Sequence, residues 1–167
     1  MESLDALGAI TRFLASIGLE AQSRRLDAPT LLPGVTVEAG TLVYDPSRLA
    51  WPGDLLHEAG HIAVTPPALR GRLSGNIAPE LMAPHAGEPE ATAWAYAAIK
   101  AIGLPASVLF HPEGYHGKSA GLILTFESGC YPGAAGLIAA GMARSLPEAQ
   151  ATGASPYPAM IHWLRHA

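Results

Sequence analysis

The chain has 167 residues, of which 49% are hydrophobic and 14% are charged, and its formal net charge at pH 7 is -4. This size and apolar content predict one domain, residues 1–167, and the ten scattered Lys and Arg residues give no basic surface for a nucleic-acid partner. No apolar run reaches the ~18 residues of a membrane span, and the acidic N-terminus lacks the basic flank of a signal peptide, so we expect a cytoplasmic protein without a membrane partner.

The first part of the chain predicts a helix, a β-hairpin and a second helix. Apolar residues recur at helical spacing over residues 4–17 and predict an amphipathic helix. Residues 35–44 alternate between apolar and polar side chains around a possible turn at Ala39-Gly40, which indicates a β-hairpin. Pro52 suits the first turn of a helix, and Thr65-Pro66-Pro67 ends that helix.

The second part of the chain predicts further helices after a long connection. Residues 68–87 are rich in Gly, Pro and Arg and are longer than ordinary connections, so we expect a functional surface loop or a partly ordered segment. A helix is predicted over residues 89–102. Residues 107–110 and 121–126 fit either a strand or a helix, whereas helices are predicted over residues 133–145 and 157–165.

Two histidines and a glutamate interrupt the apolar sequence of the helix that begins at Pro52. His57 and His61 are four residues apart, so in a helix their imidazoles lie one above the other and can share a metal ion. Glu58 is rotated ~100° from His57, which keeps it beside the metal, where it can take a proton from a water that the metal binds. The H-E-x-x-H spacing therefore predicts His57 and His61 as ligands of Zn²⁺ and Glu58 as a general base.

An alternative interpretation is a metal-free core in which the same pattern arose by chance and each histidine is hydrogen-bonded. Burying two imidazoles and a carboxylate without partners costs free energy, and a metal removes that penalty, which favours the metal site. Gly60 lies inside the motif and costs the helix about 1 kcal/mol relative to Ala. We therefore expect that Gly60 allows another backbone to approach closely.

The third protein ligand has to come from outside the motif. The residues after His61 lack the Gly and the third His of the metzincin pattern, so the candidates are Glu90, Glu88 and His85. In the second helix, Glu88 extends a polar stripe at four-residue steps, and Glu90 projects from the opposite, apolar side. The stripe consists of Thr92, Tyr96 and Lys100. A carboxylate on a buried side needs a partner, so this argument favours Glu90 and leaves Glu88 and His85 as alternatives.

A loop in the last third of the chain contains three more candidate residues, His111, Tyr115 and His116. Any of them could supply a hydrogen bond to a metal ligand or to the transition state. A plain surface loop is the simpler interpretation for each, and it is the one that we expect.

Two segments of the chain resemble a known group of metallopeptidases. HEAGH, followed after a loop by Glu-Ala-Thr-Ala-Trp-Ala-Tyr-Ala-Ala and a helix end at Gly103-Leu104-Pro105, is similar to the Glu-zincins and in particular to the ImmA/IrrE-like family. The resemblance covers residues 41–105. It implies a small zincin-like α+β domain in which the H-E-x-x-H helix packs on a second helix beside a small β-hairpin or sheet. It also implies a site composed of the ligands His57, His61 and Glu90 and the catalytic base Glu58.

These features lead to an expected activity. We expect a zinc-dependent metallopeptidase or amide hydrolase that acts on a peptide or protein substrate with a metal-activated water. One alternative is a regulatory or interaction protein that keeps the zincin fold and binds zinc without general proteolytic activity. A metal-free structural domain is the remaining alternative.

Overall fold

The computed structural model describes residues 2–75 and 83–167, with side chains from residue 6 onward. Residues 76–82, in the middle of the connection predicted over 68–87, lie outside the described residues. Within the described ranges the chain forms eight α-helices and a three-stranded sheet, so the α+β class expected from the sequence is confirmed. None of the helices in these ranges is both long and apolar enough to cross a membrane.

The helices and strands follow one another without an internal repeat. In chain order they are α1 (Glu2–Ser16), β1 (Gln22–Ser23), β2 (Val35–Glu38), β3 (Thr41–Tyr44), α2 (Pro52–Val64), α3 (Pro67–Arg70), α4 (Glu88–Ile102), α5 (Ala106–Leu109), a 3-10 turn (Tyr115–Gly117), α6 (Ser119–Glu127), α7 (Ala134–Ala139) and α8 (Leu146–Thr152).

The N-terminal helix and the β-hairpin are confirmed. In the hairpin, Val35 pairs with Tyr44 and Glu38 with Thr41, so β2 and β3 are antiparallel and joined by the expected two-residue turn. The two-residue strand β1 adds to β3 in parallel and gives the sheet order β1-β3-β2. Its short, exposed sequence carries no strand pattern, which is why it was not expected.

Helix α2 is the centre of the molecule. It begins at Pro52 and ends before Thr65, as expected, and it packs against α4. Every residue of α2 is buried except His57 and Glu58, which are partly accessible. A helix buried on nearly all sides takes its stability from packing rather than from an amphipathic face. Within the part of the chain that the structure describes, α2 is therefore accessible at His57 and Glu58 of the motif.

Gly60 fixes how closely α4 approaches α2. A Cβ atom at this position would lie 2.6 Å from the backbone oxygen of Ala91 in α4, a distance that side-chain carbons do not tolerate. The close approach that the sequence predicted at Gly60 is confirmed. It brings the N-terminal turn of α4 next to the two histidines.

The helical prediction after α4 is partly confirmed. α4 ends at Gly103 as expected, and the two ambiguous segments form α5 and α6 rather than strands. The helix predicted over residues 133–145 is shorter, because α7 covers only Ala134–Ala139. α8 was not predicted, although Ser145 and Glu148 form a capping box at its start, a pattern that is readable in the sequence.

The helix predicted over residues 157–165 is wrong. This segment instead lies along neighbouring elements and pairs its backbone with them. The Tyr157 N–H donates to the Arg144 oxygen and the Arg165 N–H donates to the Ala63 oxygen at the end of α2. The Arg165 guanidinium also donates to the oxygens of Val64 and Pro84. Because these tertiary hydrogen bonds satisfy backbone groups of the segment, it does not have to form a helix, although its apolar residues recur at helical spacing.

Replacing Gly60 with Ala is expected to destabilise the protein, because the added methyl group must push α4 away from α2. Overpacking of this kind costs roughly 1–3 kcal/mol in the free energy of unfolding. Gly121 in α6 is the matched control, since a Cβ atom there meets nothing within 4 Å. Gly121→Ala should keep or raise stability by up to about 1 kcal/mol. Urea denaturation of both variants checks the difference, and equal midpoints would contradict the close packing.

Candidate metal centre

One face of α2 gathers the polar side chains of the helix. Asp54, His57 and His61 follow one another at steps of three and four residues, so they occupy successive turns of the same face. His61 and Asp54 are buried, and the His57 side chain is 13% exposed. The apolar remainder of α2 anchors the helix in the core and holds this face in place.

Three side chains from two helices meet at this face. His57 Nε2 lies 3.3 Å from His61 Nε2. The carboxylate of Glu88, the first residue of α4, places Oε2 3.2 Å from His57 Nε2 and Oε1 3.0 Å from His61 Nε2. Over the described residues, these three side chains form a group that could hold a metal ion.

The spacing of this group fits a tetrahedral metal ion. Nitrogen and oxygen ligands of zinc lie ~2.0–2.1 Å from the metal, which in a tetrahedron puts them about 3.3–3.4 Å from one another. The two imidazole nitrogens are 3.3 Å apart, and each lies 3.0–3.2 Å from a different oxygen of the Glu88 carboxylate. Two imidazoles and one carboxylate are also a donor set that catalytic zinc sites use, with a fourth position left open.

Glu88, rather than Glu90, is the carboxylate beside the two histidines. The choice of Glu90 from the sequence assumes that Thr92 and Tyr96 belong to a solvated stripe, but Tyr96 is only 2% exposed and packs against Phe126. Glu88 lies one turn before Ala91, on the side of α4 that contacts α2, and from there its carboxylate extends over the two histidines.

The carboxylate of Glu90 is used inside α4 and against α7. Its Oε2 accepts a hydrogen bond from the Gly87 N–H at 3.0 Å and caps the start of the helix. A Cβ atom on Gly136 of α7 would lie 2.2 Å from Glu90 Oε1, so the side chain is turned toward that helix. The structure therefore does not bring Glu90 to the two imidazoles. His85 is exposed and also lies outside the group of donor atoms.

Glu58 borders the same cavity as His57 and Glu88. The cavity has a volume of about 450 Å³, and Asp54, His57, Glu58 and Glu88 are among the residues that line it. Burial raises the pKa of the Glu58 carboxyl, while the charges of His61 and His57 oppose that rise. A carboxyl group whose pKa lies above its usual range holds a proton more readily, which suits a group that accepts one.

The charges of the group are strongly coupled. Hydrogen bonds from His57 and His61 hold the pKa of Glu88 far below its usual range, although burial acts in the opposite direction. Burial lowers the pKa of His57, but the hydrogen bond and charge of Glu88, with the charges of Glu58 and Asp54, outweigh it and raise the pKa. A divalent cation competes with protons for these same three donor atoms.

Tyr115 contacts the far side of the His57 ring. Its hydroxyl lies 3.4 Å from His57 Nδ1, and the two rings meet edge to face with centroids 5.7 Å apart. Burial and the charges of Asp54, Glu88 and Glu58 raise the pKa of the Tyr115 hydroxyl, so it stays protonated. Tyr115 is one of the candidate residues that the sequence indicates, although a surface loop is the expected environment there. The contact with His57 corrects that expectation.

A buried pair of side chains fastens the Tyr115 loop to α2. Asp54 Oδ1 lies 2.8 Å from His111 Nε2, and both side chains are at most 5% exposed. The His111 ring stacks on Trp51 at 4.6 Å and leaves no room for a side chain at position 114, where a Cβ would lie 2.9 Å from the ring. His111 is therefore not a surface residue, contrary to expectation, whereas His116 is exposed at the rim of the cavity.

Asp54 is the residue of this site that the sequence analysis did not identify. A signal was present, because Asp54 is a carboxylate within an apolar helix and lies one turn before His57. Its partner His111 is 57 residues away in the sequence, so the spacing of the motif could not reveal the pair.

Comparisons of the chain with models of protein families, with curated proteins and with solved structures found no match in any of the three. The resemblance to the Glu-zincins and to the ImmA/IrrE-like family stays a prediction from the motif. What the site can do is therefore argued from its geometry.

Replacing Glu88 with Gln is expected to weaken zinc binding by at least about 100-fold, because the loss of a direct ligand exceeds the 10–100-fold loss of an outer partner. Glu90→Gln is the matched control, since a glutamine at that position keeps the capping hydrogen bond. Its zinc affinity should stay near that of the wild type. Competition with a chromophoric chelator measures both variants. Loss of zinc in Glu90→Gln and retention in Glu88→Gln would reverse the assignment.

Proposed function

We propose that the protein is a zinc-dependent metallopeptidase or amide hydrolase. The observation that carries the proposal is the meeting of His57, His61 and Glu88, whose polar atoms make contacts of 3.0–3.3 Å. His57 and Glu88 line the same cavity as Glu58. Two imidazoles, a carboxylate ligand and a nearby carboxyl base are the parts that metal-assisted hydrolysis needs.

His57, His61 and Glu88 would hold the metal ion. Imidazole nitrogens and a single carboxylate suit zinc better than Mg²⁺ or Ca²⁺, which prefer sites made only of oxygen. When bound, zinc supplies a Lewis acid that activates a water molecule and polarises the carbonyl of the substrate.

Glu58 acts as the proton carrier. It takes the proton of the attacking water and then delivers that proton to the leaving nitrogen of the amide bond. Burial beside the two histidines supports this role, because it raises the pKa of the carboxyl toward the range in which a group can both accept and donate a proton.

Tyr115 sets the orientation of His57. When His57 Nε2 is free to bind a metal ion, the ring proton sits on Nδ1, and this N–H can donate to the Tyr115 hydroxyl oxygen at 3.4 Å. The pair Asp54 and His111 keeps the loop that carries Tyr115 against α2. These residues hold the ligand in place.

The substrate is a peptide or protein segment that enters the open cavity. Glu88 is 69% exposed on its side chain, so the donor group is reached directly from solvent. A cytoplasmic location remains our expectation from the sequence.

A second candidate is a regulatory protein that binds zinc at the same residues and recognises one partner without general proteolysis. The observation that favours it is Leu31, a large apolar side chain that is 81% exposed at the rim of the cavity. An exposed apolar side chain beside a functional site suits a contact with another protein. This protein would hold zinc but leave a broad peptide library intact.

The Glu58→Gln variant tests the hydrolase. It should retain one zinc per chain, because Glu58 is not in the donor group, and lose about 10²–10⁴-fold in turnover of a peptide library. Zinc content by mass spectrometry and product formation by chromatography are the two measurements. Glu127→Gln, an exposed change at the end of α6, is the control and should cleave like the wild type. Unchanged turnover in Glu58→Gln would rule out this mechanism.

A further inference from the structure

Two cavities meet at Glu58. The larger one, of about 450 Å³, is lined by His57 and Glu88 of the metal group. The second one, of about 270 Å³, lies between the segment before β2 and the strand itself. Glu58, Leu31 and Leu32 border both cavities, so a chain bound with its scissile bond at Glu58 can reach both of them.

The larger cavity is acidic. Asp54, Glu58, Glu88 and Glu113 line it, and no Lys or Arg is among its described lining residues. A divalent cation at the donor group balances two of the charges that these carboxyl groups carry when ionised. Glu113 is exposed at the edge of this cavity. With four carboxyl groups and no described Lys or Arg in its lining, the cavity favours a cationic group over an anionic one, and walls of low dielectric strengthen this preference.

Asp54 gives this cavity an acceptor without a partner. Its Oδ1 is engaged by His111, but among the described residues Oδ2 has no hydrogen-bond partner and the side chain is only 5% exposed. A buried carboxylate oxygen without a donor costs free energy, and a ligand that brings an N–H group can remove that cost. An ammonium or guanidinium group carries several such donors together with a positive charge.

The second cavity has a different lining. Apart from Glu58 and two threonines, the described residues that line it are apolar or glycine, with Leu31, Leu32 and Val35 as the largest aliphatic side chains among them. A lining of this kind binds an apolar side chain and gives no partner to a charge.

We infer that the substrate is a peptide that places a Lys or Arg side chain in the acidic cavity and an apolar side chain in the second cavity, with its scissile bond at Glu58. The inference rests on the proposed peptidase function and specifies its substrate class. Charge complementarity and the unpartnered oxygen of Asp54 carry it for the acidic cavity.

Binding to the zinc-loaded Glu58→Gln variant tests the inference without turnover. The probes are fluorescent octapeptides in which one position at a time is lysine, Nε-acetyl-lysine or glutamate and the other positions are mixed apolar and small residues. At the preferred position, lysine should bind on the order of tenfold more tightly than acetyl-lysine, which has similar length but no charge, and glutamate should bind most weakly. The advantage of lysine should shrink from ~0.01 M to ~1 M salt, because screening shortens from ~30 Å to ~3 Å.

A second pair of substitutions connects the preference to the cavity. Adding Glu113→Gln to the Glu58→Gln protein should reduce the lysine advantage several-fold, whereas adding Glu127→Gln, which does not line either cavity, should leave it unchanged. Fluorescence anisotropy measures the affinities, and the same peptides with wild-type protein report cleavage.

The outcomes separate the substrate class from the activity. Equal binding of lysine, acetyl-lysine and glutamate peptides that are nevertheless cleaved would overturn the inference and leave the peptidase function standing. A lysine preference that Glu113→Gln weakens, without cleavage by the wild type, would support the cationic site and overturn the peptidase function. The absence of both binding and cleavage would overturn both.

Discussion

The site depends on the contact between α2 and α4. Because Gly60 has no side chain, the Ala91 backbone can lie directly on α2, and the first turn of α4 is carried over His57 and His61. At this distance between the helices, the Glu88 carboxylate of α4 lies against the two imidazoles of α2, and the three side chains form one group. The polar side chains that α2 buries at such cost thus find partners from a neighbouring helix and from the loop after α5.

The parts that the sequence predicted are those whose signals are local. A four-residue spacing defines which histidines share a face, and Pro52 together with the prolines after Val64 marks where the motif helix begins and ends. The hairpin follows from alternation around a two-residue turn. In each case the sequence signal and the structure that it predicts lie within a few neighbouring residues, so the prediction does not depend on tertiary packing.

The choice of the third carboxylate depended on packing that the sequence does not state. Glu88 and Glu90 differ by two residues, and the rule that a buried carboxylate needs a partner holds for both. Glu90 meets that need with the Gly87 N–H, and Tyr96 is buried although it looked like part of a solvated stripe. Likewise, the pairing of Asp54 with His111 depends on how α5 and its following loop pack on α2, which no spacing within the chain reveals.

The hydrogen bonds from Arg165 to the end of α2 bear on how the protein is made. The carbonyls of Ala63 and Val64 receive donors from a residue about one hundred positions later in the chain. During vectorial synthesis on the ribosome, the motif helix emerges long before these donors do. Its C-terminal end therefore reaches its final environment only after residue 165 has left the exit tunnel.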